Sequence, residues 1–372
     1  MKWWSENRWR ISCLVLLMLC AGCCTGCWDK KELNQLALAQ VIAIDYQDVQ
    51  YQVTLQLILP SAEQETVTGD NLWSMSGTGP SVGAALQQIA LAAPRELYLD
   101  HLALVLLGEG VLEQSLEQGI DYLLKENVLR RRTYLLAVQG NAGTLLSQSA
   151  ELAKMDIFYM DNLLQDQSRR VQGGNTTIND YYLASYNGVQ EALVVPRIVL
   201  EPEVSLRLDG AALVQAGQLI AWVDREWLEG YYWTSGGKEI ITLQQAVSES
   251  EDKGQIIVEL QKEPCKWELA SERPLSVTMH LRGKIKIVSG FDSWKDRADA
   301  ETASEQIVRQ VELHALEQID GMLQVVQPLG ADTVGLGRWL YGWHPQLVQE
   351  NRWPKQFATL PIQYQVQLEI AV

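Results

Sequence analysis

The chain is 372 residues long, enough for two or three compact domains, and its 47% hydrophobic content supplies ample material for buried cores. A net charge of −16 repels phosphate backbones and anionic headgroups, which argues against nucleic-acid binding and requires any membrane attachment to come from something other than basic residues. Five of the six cysteines crowd the first 27 residues and only Cys265 lies further on, whereas a disulfide framework would be spread through the folded part.

Met1–Arg10 is basic, and Ile11–Cys24 is a short apolar run ending among small residues. The run is too short to span a bilayer, and its order of basic, apolar, then small residues fits a secretory signal. A lipobox needs small residues before a cysteine, so that the peptidase fits the backbone while the thiol takes a diacylglyceryl group. Two cysteines qualify: Cys23 after Cys20-Ala21-Gly22, and Cys27 after Cys24-Thr25-Gly26. Each has Cys at the third position upstream, where leucine is usual. Lipidation would anchor the chain, because buried acyl chains contribute about 0.8 kcal/mol per CH₂ and two chains hold stably where one does not.

Further along, Gln35–Asp45 and Tyr51–Leu59 read as strands, the second alternating apolar and polar residues with the period of a half-buried strand. A third strand is expected over Thr66–Ser76, and Pro80 opens a helix to about Ala92. Strand at Leu102–Leu107, helix at about Val111–Lys125, strand at Tyr134–Val138 and a following helix make an α/β or α+β segment. Asn175–Asn187 is polar, and Ala192–Leu200 is a strand whose Pro196 favours a sheet edge or a crossing between domains. Leu206–Val214 and Gln218–Val223 form a hairpin around Ala216-Gly217. Strands follow at Ile240–Leu243, Gln255–Leu260 and Val277–Val288. A long helix over about Thr302–Val326 carries a capping box (Thr302, Glu305) and stops at Pro328 and Gly330. Strict alternation from Ile362 to Val372 predicts a closing strand.

Little of this points to catalysis. Gly79-Pro80-Ser81-Val82-Gly83 fits the G-x-S-x-G elbow of hydrolases, but the preceding strand is polar on one face, and Ser81 reads better as part of a helix start. Gly77, Gly79 and Gly83 make only a loose dinucleotide fingerprint. His101, His280, His314 and His344 are scattered, with no Cys or carboxylate at metal-ligand spacing. Arg130-Arg131-Arg132 reads as a solvated helix end, with contact to an acidic partner as the other reading. The 13 tryptophans against 3 phenylalanines are unusual. Tryptophan joins a large apolar body to an N–H donor, so Trp222, Trp227, Trp339 and Trp343 are candidates for a partner contact, with core packing as the plainer role.

Gly26-Cys27-Trp28-Asp29-Lys30-Lys31-Glu32-Leu33 resembles the opening of the Ger(x)C family, lipoprotein C subunits of spore germinant receptors, and this favours Cys27 over Cys23. The resemblance continues through Val41–Asp45, Leu97–Leu107, Thr177–Tyr181, Ala192–Arg197, Leu208–Val223 and Glu229-Gly230. It closes on Gly330-Ala331-Asp332, Gly335-Leu336-Gly337, Tyr341, His344-Pro345, Trp353 and Phe357. Cys24 in the lipobox and Leu347, where the family has Trp, depart from the pattern. The resemblance implies a non-enzymatic, three-domain α+β lipoprotein with mixed or antiparallel sheets packed against helices. Its divisions would be a signal peptide over 1–26, an N-terminal region over 27–199 and a C-terminal domain over 200–372. The N-terminal region would divide into 27–95 with 175–199, and 96–174. The only non-protein groups implied are the diacylglyceryl and N-acyl (palmitate) lipid on Cys27. The implied partners are integral membrane A-type and B-type receptor subunits, and the implied location is the outer face of the cell membrane or, in spores, of the inner membrane. The other reading is a solute-binding lipoprotein of an importer, which predicts two similar lobes around a deep cleft.

Overall fold

The computed structural model describes residues 32–60, 72–149, 162, 164, 175–185, 188–201, 205–235, 237–245, 254–289, 300–349 and 352–371. Cys23 and Cys27 lie outside the described residues, as does most of the span expected as a strand before Leu72.

The N-terminal lobe is built on a long mixed sheet. Strands β1 (Leu36–Gln47), β2 (Gln50–Ile58) and β3 (Leu72–Gly79) are antiparallel neighbours, and helix α1 (Val82–Ala92) packs back across them. The short β4 (Glu96–Tyr98) and β5 (Leu104–Gly108) both pair in parallel with β1. Helices α2 (Glu109–Gln114) and α3 (Leu116–Lys125) lead to β6 (Tyr134–Val138), parallel to β5, and α4 (Ala142–Gln148) follows. The two-residue β7 (Thr176–Thr177), α5 (Ile178–Ser185) and then β8 (Leu193–Glu201), β9 (Ser205–Gln215) and β10 (Gln218–Val223) complete it, in the order β10-β9-β8-β6-β5-β1-β2-β3. Strands from both expected subdivisions of the N-terminal region thus share one sheet.

The C-terminal lobe begins with α6 (Arg225–Ser235) and carries a five-stranded sheet. It runs β11 (Gly237–Gln245), β12 (Gly254–Lys262), β14 (Leu275–Ser289) and β13 (Lys266–Glu272), with β15 (Ile362–Ile370) parallel to β14. Helix α7 (Ala300–Leu329) buries Ile307, Val311, Ala315, Ile319, Leu323 and Val326 against α6 and this sheet, as the i,i+4 spacing predicts. Two short helices, α8 (Leu336–Trp343) and α9 (Trp353–Thr359), close the lobe. The α+β, multi-domain expectation holds.

Several elements differ from expectation for identifiable reasons. The helix expected over Val111–Lys125 breaks at Ser115, whose side chain accepts from Gln118 N and caps α3. Pro196 sits inside the sheet, between β9 and β6, not at an edge, on the strand that passes between the two cores. The register of β8 against β9 shifts between Pro196 and Ile198, so the missing N–H falls where the ladder is already interrupted. Pro328 lies within the last turn of α7. Ser81 is the N-cap of α1, its hydroxyl accepting from Ala84 N at 3.2 Å, and the strand before it is the edge strand β3.

The hairpin β8–β9 is the hinge of the architecture. Ala192, Val194, Ala211 and Leu213 face the C-terminal core, while Leu193, Val195, Ala212 and Val214 face the N-terminal one. Successive strand residues point to opposite faces, so a strand buried on both sides reads as an unbroken apolar run. That is why ALVV and AALV show no alternation. The division expected at Val199/Leu200 falls inside this hairpin.

Candidate functional site at the lobe junction

Just before β8, Gln190, Glu191 and Ala192 meet the segment Gly330–Arg338 that joins α7 to α8. Ala192 N donates to Asp332 O at 3.0 Å, and Gln215 Nε2 donates to both Gln190 O and Gly330 O at 3.0 Å. Arg338 N donates to Glu191 Oε1 at 3.2 Å, and the Arg338 guanidinium stands 3.6 Å from the same oxygen.

Asp332 organises this segment from a fully buried position. Its carboxylate accepts from Val334 N at 3.2 Å, Leu336 N at 3.1 Å, Gly337 N at 2.6 Å and Trp353 Nε1 at 3.0 Å. Burial pushes its pKa up, and these four donors pull against that. Gly337 must be glycine, because a Cβ there would lie 2.4 Å from Trp353 Nε1. The two glycine motifs around Asp332 therefore serve a buried carboxylate and a buried indole rather than a phosphate.

Beside the junction lies a cleft of about 320 Å³, lined among others by Asp180, Glu191, Tyr231, Thr234, Thr333 and Arg338. Burial first, and then the charge of Asp180, push the Tyr231 phenol up to about 12. Cys265 is a free thiol pushed up to about 12 by burial and by Asp332, so it stays protonated near neutral pH. Among the described residues no group of three or more His, Cys, Asp or Glu side chains could hold a metal ion.

A second polar centre braces the far side of β8. Arg197 donates through Nε to Asp209 O and through Nη1 to Gln139 Oε1, both at 2.6 Å, and its guanidinium lies 5.8 Å from the Trp222 ring centroid. Trp222 is half-buried and donates through Nε1 to Glu109 Oε1 at 2.9 Å. The sequence suggested no role for Asp332 or Arg197 beyond their place in the strings of the family resemblance, and none for Glu191. An acidic residue two positions after a glycine and three before another was the available signal for a buried capping carboxylate.

The four candidate tryptophans part company. Trp227 is 5% exposed, stacked on Tyr231 and bonded through Nε1 to Met322 O, which removes it from any contact surface. Trp222 is committed to Glu109 and Arg197. Trp339 is half-buried, packs against the C-terminal core and meets the His344 ring at 5.8 Å. Trp343, at the end of α8, is 75% exposed, with Tyr341 also exposed on that helix.

Fold and junction define a two-lobed α+β protein in which the polar centre around Glu191, Asp332 and Arg338 joins the lobes, the lobes themselves having different topologies. The chain belongs to the spore germination Ger(x)C family. Residues 29–200 match the family described as spore germination protein N-terminal domain, and residues 209–371 the family described as spore germination B3/GerAC like, C-terminal. It is 26% identical to spore germination protein B3 of Bacillus subtilis (strain 168), across 76% of this chain and 74% of that one. With spore germination protein KC of the same organism it shares 23% identity, across 94% and 92% of the two chains. The crystal structure of the GerBC protein superposes with a TM-score of 0.53 at 18% identity, covering 89% of this chain and 97% of that one. The family is one of germinant receptor subunits and not a known enzyme family.

Proposed function

We propose that the chain is a membrane-anchored, non-enzymatic subunit of a nutrient germinant receptor, lipidated at Cys27 and working with integral membrane A-type and B-type subunits on the outer face of the spore's inner membrane. The observation that carries this reading is the family match over both lobes, joined to Cys27, which stands two residues before that match begins at Asp29. No helix among the described residues is long and apolar enough to cross a membrane; in this reading the lipid on Cys27 supplies the attachment. Exposed Trp343 supplies an apolar anchor with a free-standing N–H for a partner subunit, and tethering makes a modest contact sufficient because it becomes effectively intramolecular.

Two variants test the reading together. Cys27→Ala should yield a protein without diacylglyceryl that leaves the membrane fraction or persists as an uncleaved precursor, seen by mass spectrometry of the N-terminus. Trp343→Ser should keep the anchor and the thermal melt but lower co-purification of the membrane subunits. A lipid found on Cys23 instead would move the anchor; unchanged co-purification would remove Trp343 from the contact.

A further inference from the structure

One end of the N-terminal lobe gathers the starts of several strands. Strands β1, β5 and β6 run in parallel, with Val41 opposite Leu104 and Leu104 opposite Tyr134, and β1 itself begins further out, at Leu36 opposite Glu96. The chain therefore enters β1 from this end. Strand β3 also starts here, since Trp73 pairs with Leu57, which pairs with Ala39. Helix α1 starts beyond Gly79 at the far end and returns, delivering Leu91 towards Glu96. The loop before β6 adds Arg130, Arg131 and Arg132.

The chemistry of this end differs from that of the acidic molecule as a whole. Leu33, Trp73 and Leu91 are 58%, 50% and 84% exposed. Arg130–Arg132 is the chain's only run of three basic residues, and all three are exposed. Arg131 is held in place, donating to Asn179 Oδ1 at 3.2 Å with its guanidinium 5.9 Å from the Tyr182 ring centroid. The carboxylates of Glu32, Glu96 and Asp100 share this end, so the arginines orient the molecule rather than attach it. Exposed leucine and tryptophan on the same end of a molecule as arginine is a composition that settles at a lipid–water interface. The other lobe attaches at β8–β10, on the flank of the sheet opposite β3 and next to β6, the strand that follows the arginines.

The tether agrees. On the Cys27 anchor proposed above, four residues, Trp28 to Lys31, separate the lipidated cysteine from Glu32, a reach of at most about 18 Å over the five steps. Strand β1 has 12 residues and is therefore about 40 Å long, so its far end cannot be the end held at the membrane. We infer that the end formed by Leu33, Trp73, Leu91 and Arg130–Arg132 rests on an anionic lipid surface, with the Asp48-Val49 hairpin pointing away from it.

The test uses the full lipidated chain in a Cys265→Ser background, on vesicles of phosphatidylcholine and phosphatidylglycerol. A fluorescent label is placed at Leu91→Cys, Arg132→Cys or Val49→Cys, the last 79% exposed at the opposite end of β1. Vesicle binding should cut quenching by aqueous acrylamide at positions 91 and 132 and leave position 49 unchanged. Equal quenching at all three on protein that still floats with the vesicles overturns the docking end and spares the anchor. Shielding at all three overturns the upright orientation. Absence of lipid by mass spectrometry overturns the anchor, and the docking end with it.

Discussion

At the scale of single residues, Asp332 does most to define the C-terminal lobe. Its carboxyl is held above the ordinary Asp range by burial, so between the ordinary and the raised value the folded chain keeps a proton that the unfolded chain has released. The stability it contributes is complete below the unfolded value and is lost as pH rises through the folded one. Asp45 acts in the same direction, its buried carboxylate accepting from Ala142 N at 2.7 Å and Gly143 N at 2.8 Å. Asp332→Asn keeps the shape and removes the titration, but turns an amide NH₂ towards backbone and indole donors. Leaving one buried donor unsatisfied costs about 1–3 kcal/mol. The variant should melt lower than wild type and show a flatter dependence of stability on pH above about 4, where free Asp titrates. Thermal melts across that range check it, and an unchanged slope would mean that Asp332 is not the titrating group.

At the scale of elements, α6 and α7 approach each other backbone to backbone. A Cβ on Gly230 would lie 2.3 Å from Gln318 O, and three side-chain bonds straddle that crossing: Trp227 to Met322 O, Trp233 to Gln318 Oε1, and Gln318 to Glu229 Oε2. Glycine is needed because one backbone passes directly over another. Gly230→Ala forces the helices apart, and overpacking of this kind costs about 1–3 kcal/mol. A lowered melting temperature with both indole environments altered in near-UV circular dichroism is expected; a melt equal to wild type would show that the crossing can relax.

How much of this was legible follows element by element. Where one face is buried and the other wet, period alone sufficed, as in β15 and α7. Helix α6 escaped because its REWLEGYYWTS is rich in aromatic residues of weak helix preference, and its capping signal, Asp224 Oδ1 accepting from Trp227 N at 2.9 Å, is short. Strand β13 escaped because KWELASE is short and offers only Trp267 and Leu269 as large apolar residues, too few to establish a period. The junction escaped for a different reason: Glu191 meets Arg338 and the Asp332 segment only through tertiary structure, and no local pattern records a contact so far apart in the chain.

For the whole molecule, the shared hairpin sets how the lobes respond to damage. A chain of this size with two cores would ordinarily unfold in separate steps. Here β9 sends Leu213 into one core and Ala212 and Val214 into the other, all buried, while Ala192 N, Gln215 and Arg338 tie the same region to the Asp332 segment. Neither lobe can lose β9 without exposing apolar surface of its neighbour. We expect wild type to unfold in a single calorimetric transition. Leu213→Ala, at a cost of about 2–5 kcal/mol for a fully buried leucine, should lower that transition as one. Hydrogen exchange should then rise both in α7, which lies in the C-terminal core, and in β6, which lies in the N-terminal one. Two transitions, with only one shifted and β6 still protected, would mean that the hairpin joins the lobes without coupling them.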